Sequence, residues 1–242
     1  MSKEKAFLGL PEDFQGKFLI YPPKVNEVVS NKFFQYKQIL TFSQEELDDE
    51  FLKKENTAPT PLEYLLSNSY HNKEFEKLAK EAFYLFTRQE VTFLYDNKTI
   101  LIGNLEKEMK RIKKLGDLVL LNEENFFEFQ NKIRESMGDK PIEPPNPNEH
   151  PKIRRMKAKA RYRDKIKAKQ GGGINLVTSL VSICCMGIGI TPLNIGEMSY
   201  AAVSFLINTY QGKEKYEIDI ASIQAGANPK KINPKYWIKN LD

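Results

Sequence analysis

Apolar side chains recur with helical spacing over much of the chain as far as Met137. The clearest stretch is residues 73–87, where Phe75, Leu78, Ala79, Ala82, Phe83 and Phe86 follow the i, i+3, i+4, i+7 rule and predict an amphipathic helix with one buried stripe. Ser43-Gln-Glu-Glu46 has the hydroxyl-to-carboxylate spacing of a capping box, with Leu47 and Phe51 on one face of the helix it opens. Thr60-Pro-Leu-Glu63 repeats that chemistry with Pro at the first helical position. Leu105, Met109 and Ile112 mark a basic amphipathic helix ending at Gly116. Asn122 caps another, with Glu123 and Glu124 at its positive end and Phe126, Phe129, Ile133 and Met137 on its inner face. Alternating apolar residues appear only briefly. Residues 16–23 read as a short strand stopped by Pro22 and Pro23, and residues 91–95 and 99–102 as a hairpin around Asp96-Asn97-Lys98. The expected fold is mainly α with a small β-hairpin or sheet in an N-terminal domain, residues 1–138.

The pattern then changes. Pro141, Pro144, Pro145, Pro147 and Pro151 make residues 139–151 a proline-rich linker that favours an extended, semi-rigid spacer. Beyond it, residues 152–170 form a basic arm whose apolar residues, Ile153, Met156, Ala160 and Ile166, are too sparse for a self-sufficient helix. The Gly171-Gly-Gly173 triplet reads as a hinge, because no Gly-Lys-Ser/Thr follows to complete a phosphate loop. Residues 171–242 are expected to form a small helical module. It would hold an apolar core helix near 174–187, a second helix opened by Thr191-Pro192, and a third with Tyr216, Ile220 and Ile223 on one face.

Charge sharpens this division. Ten cations and Asp164 give residues 152–169 a charge of +9, so with +5 on the whole chain everything outside that block sums to −4. The partner signal is therefore local. Arg154, Arg155, Arg161, Arg163 and Lys165 are its candidate contacts, facing either a protein surface or a phosphate backbone. Tyr162 is the only aromatic in the block, and no zinc-finger or RNA-recognition spacing accompanies it. In the tail, Tyr236 and Trp237 either fold back onto their own module or anchor a neighbour.

Little in the chain suggests bond-making chemistry. His71 and His150 are the only histidines, so His-based metal sites are disfavoured. Cys184 and Cys185, adjacent in an apolar run, read as small buried hydrophobes rather than a disulfide or ligand pair. The acids at 45–50 lack the spacing of a calcium loop and read as a solvated helix face. Residues 174–190 approach the length of a membrane span, but Asn175, Thr178, Ser179 and Ser182 favour a buried core helix. The residues therefore suggest a non-enzymatic protein with no cofactor or metal, no membrane segment and no secretion signal, in a reducing cytoplasm.

Several stretches resemble one family. The basic segment 152–169, the run Ile188-Gly-Ile-Thr-Pro-Leu-Asn-Ile-Gly-Glu-Met-Ser-Tyr200, the ending from Pro234, Pro61-Leu-Glu-Tyr-Leu-Leu66 and Leu121-Asn-Glu-Glu-Asn-Phe-Phe-Glu-Phe129 are similar to tail-assembly chaperones of long-tailed phages and prophages of Gram-positive bacteria. That resemblance implies a non-enzymatic role in the bacterial host cytoplasm. A mostly helical N-terminal domain would shield the apolar tape-measure protein, and a C-terminal extension would bring in tail-tube subunits. A homo-oligomer is expected around the client. Phe75, Phe83, Phe86, Phe126 and Phe129 are the candidate client contacts if their helices offer surplus apolar surface, although each could instead close its own core. The alternative function is a nucleic-acid-binding phage protein acting through residues 152–169.

Overall fold

The computed structural model describes residues 2–30, 32–51, 58–103, 119–144, 150, 153, 156–157, 159–160, 163, 176–186, 189–232 and 234. The described chain is mainly α with two small antiparallel sheets. Its elements run α1 (Lys3–Leu8), β1 (Glu12–Phe14), β2 (Phe18–Ile20), α2 (Val25–Ser30), α3 (Phe33–Thr41), α4 (Gln44–Phe51), α5 (Pro61–His71), α6 (Lys73–Thr87), β3 (Val91–Leu94), β4 (Thr99–Ile102), β5 (Leu120–Leu121) and α7 (Glu123–Ser136). The C-terminal part adds α8 (Leu176–Cys185), a 3₁₀ turn (Ile195–Glu197), α9 (Tyr200–Gln224) and α10 (Pro229–Ile232).

Local chemistry explains most boundaries. Thr60 and Glu63 cap each other reciprocally at the start of α5, and Ser43 and Glu46 do the same for α4. Asn122 accepts from the Glu124 and Asn125 amides to open α7. At the far end of α7, the Gly138 and Asp139 amides bond back to Glu135 and Arg134 carbonyls. Gly138 supplies the left-handed φ of +79° that this ending needs. The single strand expected over 16–23 is half of a hairpin, β1 with β2, in which Phe14 faces Phe18 across the turn. The hairpin of β3 and β4 forms as expected and gains β5, whose Leu121 pairs with Ile100.

The core is built on aromatic contacts around Phe129. Its ring stacks on Phe83 at 5.4 Å and meets Phe14 edge-on at 5.9 Å, with Phe18 and Phe126 beside it. Buried Gln130, next along α7, donates to the carbonyls of Leu40 and Phe42 and so satisfies the end of α3. On the other flank of α3, Tyr36 donates to Glu81 of α6 at 2.8 Å. Burial and that carboxylate push its phenol up to about 12.

The C-terminal part is not a separate body. The Val25 amide bonds to the Met198 carbonyl and the Tyr200 amide to the Pro23 carbonyl, which makes a short antiparallel bridge between the two ends of the chain. Buried Ser199 caps α9 by accepting from the Ala202 amide, while its hydroxyl proton points at the carbonyls of Ala6, at 2.7 Å, and Phe7, at 3.0 Å. Ala201 joins the main core, and Val25 of α2 joins Ile183, Ile195 and Val203 in a second apolar cluster.

Three expectations for this region are corrected. Thr191-Pro192 opens a turn leading into the 3₁₀ segment rather than a helix, because Ser199 supplies the cap. The second and third helices are then one, α9. The helix near 174–187 is described over ten residues and is half-buried rather than core. Ile183 is its one buried side chain among those described, and Val181 faces out. Cys184 is only partly covered and Cys185 is exposed beside Tyr210 and Glu214, so the pair is not buried. No described helix is long and apolar enough to cross a membrane. The expected helix at 105–116 and the hinge at 171–173 lie outside the described residues.

Replacing Ser199 with Ala removes the cap and orphans no donor other than the Ala202 amide. It is expected to cost about 1–2 kcal/mol and to speed hydrogen exchange at Ala202 and Val203, measured by chemical denaturation and exchange mass spectrometry. A second expectation concerns acid. Burial raises the Glu12 carboxyl, but Lys132 at 2.9 Å and the Ser2 amide outweigh it and hold the group at about 2, below its ordinary 4.5. The stabilisation is therefore complete above pH 4.5 and lost as pH falls through 2. Glu12→Gln should flatten the decline in stability between those limits, read as melting temperature against pH.

Candidate functional site

The fold turns some expected contact residues inward and others outward. Phe83, Phe86, Phe126 and Phe129 are at most 2% exposed, so they are not surplus surface for a client. They fill the space between α6, α7 and the β1–β2 hairpin. Phe75 is half-buried against the same core. Of the expected cationic contacts, Arg163 is described; it is helical and exposed, as are Ile153, Met156, Lys157, Lys159 and Ala160. Arg154, Arg155, Arg161, Lys165, Tyr236 and Trp237 lie outside the described residues.

Apolar side chains that periodicity did not single out reach the surface around the root of α9. Ser2 caps α1 and left-handed Gly9 ends it, so this short helix buries Ala6 and turns Phe7 and Leu8 outward, 41% and 65% exposed. The Phe7 ring lies 6.3 Å from Phe205 of α9. On another side, Phe34 is 60% exposed and meets Phe33 edge-on, and Phe33 in turn packs on Tyr200 of α9. Both exposed aromatics are thus held by rings that touch or belong to the same helix. They escape a sequence reading because α1 and α3 are too short to show a clear period.

A second feature lies where the N-termini of α4, α5 and α7 converge. A cleft of about 180 Å³ opens there over Pro61, Leu62, Phe126, Phe127 and Ile142, with Glu45, Glu123 and Glu143 at its rim. Asn131 pins Ile142 into the wall by bonding both its amide, at 2.7 Å, and its carbonyl. Glu123 accepts from the Thr60 hydroxyl, and Glu45 stands in the first turn of α4, where a negative charge complements the helix dipole. This volume is below the roughly 300–1,000 Å³ of small-molecule sites, so the cleft suits side chains of a docked segment rather than a cofactor.

Among the described residues, no three His, Cys, Asp or Glu side chains are grouped to hold a metal ion. His71 ends α5 with its ring against Tyr70. No protein-family model, curated protein or solved structure matches the chain.

Core and contact roles separate on substitution. Phe129→Ala should cost about 3–5 kcal/mol, since it empties the centre of the aromatic cluster. Leu8→Ser should change stability by less than about 0.5 kcal/mol, both read from urea denaturation midpoints.

Proposed function

We propose that this chain acts by binding, as a non-enzymatic tail-assembly chaperone that keeps a tape-measure-like client soluble and contacts tail-tube subunits. The observation that carries the reading is the set of exposed apolar side chains held on a folded body, Phe7, Leu8 and Phe34 around α9. A chaperone for an apolar helical client needs contacts of this kind, easily made and released, rather than an enclosed pocket. The stretches at 61–66, 121–129, 152–169 and 188–200 that resemble the chaperone family support it from the sequence. The client surface in this reading differs from the one expected, because Phe83, Phe86, Phe126 and Phe129 are occupied within the core.

A second reading, nucleic-acid binding through the arm, draws on the exposed cations Lys159 and Arg163. Co-expression with the tape-measure protein of the same phage separates the two. The chaperone reading expects soluble client with the intact chain, and several-fold less with Phe7→Ser, Leu8→Ser and Phe34→Ser combined at an unchanged melting temperature. Client that is insoluble in both cases overturns it. Nucleic-acid binding instead expects duplex affinity that falls steeply with salt and disappears when the cations at 152–169 are neutralised.

A further inference from the structure

We propose that the cleft between the N-termini of α4, α5 and α7 is a docking site for a basic segment of another protein. That segment seats an apolar side chain on the floor and pairs flanking lysines or arginines with the carboxylates at the rim. None of the lining residues belongs to α1, α3 or α9, so this contact surface is separate from the one around α9. The inference goes beyond the client reading and does not depend on it.

The cleft is fixed by bonds of its own. Pro61 and Leu62 of α5 and Phe126 and Phe127 of α7 form an apolar floor, and Ile142 closes one side. Leu62 and Phe126 are buried in the core beneath, whereas Phe127 and Ile142 keep part of their surface open. Asn131 holds the Ile142 backbone at both its amide and its carbonyl. The Gln44 side chain donates to the Pro59 carbonyl at 3.1 Å and so ties α4 to the approach of α5. Walls set in place before a ligand arrives lower the ordering cost of binding. A volume of about 180 Å³ accommodates the apolar anchor of a peptide rather than a whole small molecule.

Charge decides which segment enters. Converging helix N-termini ordinarily attract an anion, through free amides and the helix dipole. Here leading amides are already taken. The Ser43 hydroxyl accepts from the Glu46 amide, the Thr60 hydroxyl from the Glu63 amide, and the Asn122 side chain from the amides of Glu124 and Asn125. Every charged residue that lines the cleft is an acid, namely Glu45, Glu123 and Glu143. An anion would face these carboxylates with the capping amides occupied. A cation finds them arranged around an apolar floor, and charge complementarity of this sort selects the partner and steers its approach.

The molecule as a whole does not draw in such a segment. Its net charge is +5 at pH 7, which disfavours non-specific capture of a cationic peptide. Affinity for one therefore has to arise locally, where acids and apolar surface coincide. The anchor on the floor supplies the desolvated contact, and the cations at the rim supply the selection.

The test uses the full-length protein and labelled synthetic peptides, read by fluorescence anisotropy. In the first peptide Leu-Phe is flanked on each side by Lys-Lys. A second has Glu in place of each Lys, and a third has Ser-Ser in place of Leu-Phe. The first should bind saturably, at least about tenfold more tightly than either of the others, and should weaken as salt rises. Glu45→Lys with Glu143→Lys should lower its affinity at least about tenfold, and Phe127→Ala should lower it several-fold. Glu143 is exposed and outside any helix, so Glu143→Lys alone, with a several-fold loss expected, carries the test should the double variant melt early. The proposal is overturned if the basic peptide does not bind, if the acidic one binds as well, or if binding ignores these changes in the cleft. Sedimentation velocity without peptide examines a rival occupant: self-association that Glu143→Lys abolishes would assign the cleft to a second copy and overturn the proposal too. None of these outcomes bears on Phe7, Leu8 and Phe34, so the client reading stands or falls separately.

Discussion

Phe129 is the contact on which the remaining packing depends. Its ring is shared by the β1–β2 hairpin through Phe14 and Phe18, by α6 through Phe83, and by its own helix through Phe126. Aromatic rings in stacked and edge-on arrangements fill space with little freedom of position, so the mutual placement of three elements is fixed at one point. Gln130 extends that point to α3, where the two carbonyls it satisfies would otherwise face the interior without donors.

From this centre the molecule is held together in a way its linear order conceals. The hairpin at the N-terminus leads through Tyr21, whose amide bonds the Phe86 carbonyl, to Pro23 and Val25, which bridge to Met198 and Tyr200. Segments from opposite ends of the sequence therefore share backbone hydrogen bonds and a common apolar cluster around Val25. The proline-rich stretch divides the sequence without dividing the packing, and surfaces near α9 combine side chains from both sides of it.

Elements whose signal is local were legible in the sequence. The capping pairs at 43–46 and 60–63, the cap at Asn122 and the stripe of α6 depend on residues three or four apart, and each appears where its spacing placed it. What depends on partners distant in sequence was not legible. The Phe residues of α6 and α7 have the same period whether they face their own core or a client, and only the hairpin's position decides. Thr191-Pro192 resembles Thr60-Pro61 as a helix start, but Ser199 is anchored to the Ala6 carbonyl and takes that role. The cleft was equally hidden, since its walls come from four separate stretches of chain and two of its acids, Glu45 and Glu123, look from sequence alone like ordinary first-turn residues.

The long α9 gives the molecule leverage. Only Ala201, Ala202 and Val203, near its beginning, are buried, and from Ser204 to Gln224 none of its side chains is. α8 braces it as far as Tyr210 and Glu214, and beyond that point the helix multiplies angular error along its length. With a rise of about 1.5 Å per residue, a tilt of about ten degrees there would carry the far tip about 3 Å. Small adjustments at the brace are thus converted into larger excursions at Ile218 and Ile223, and whatever grasps that tip gains a mechanical hold on the brace beneath it.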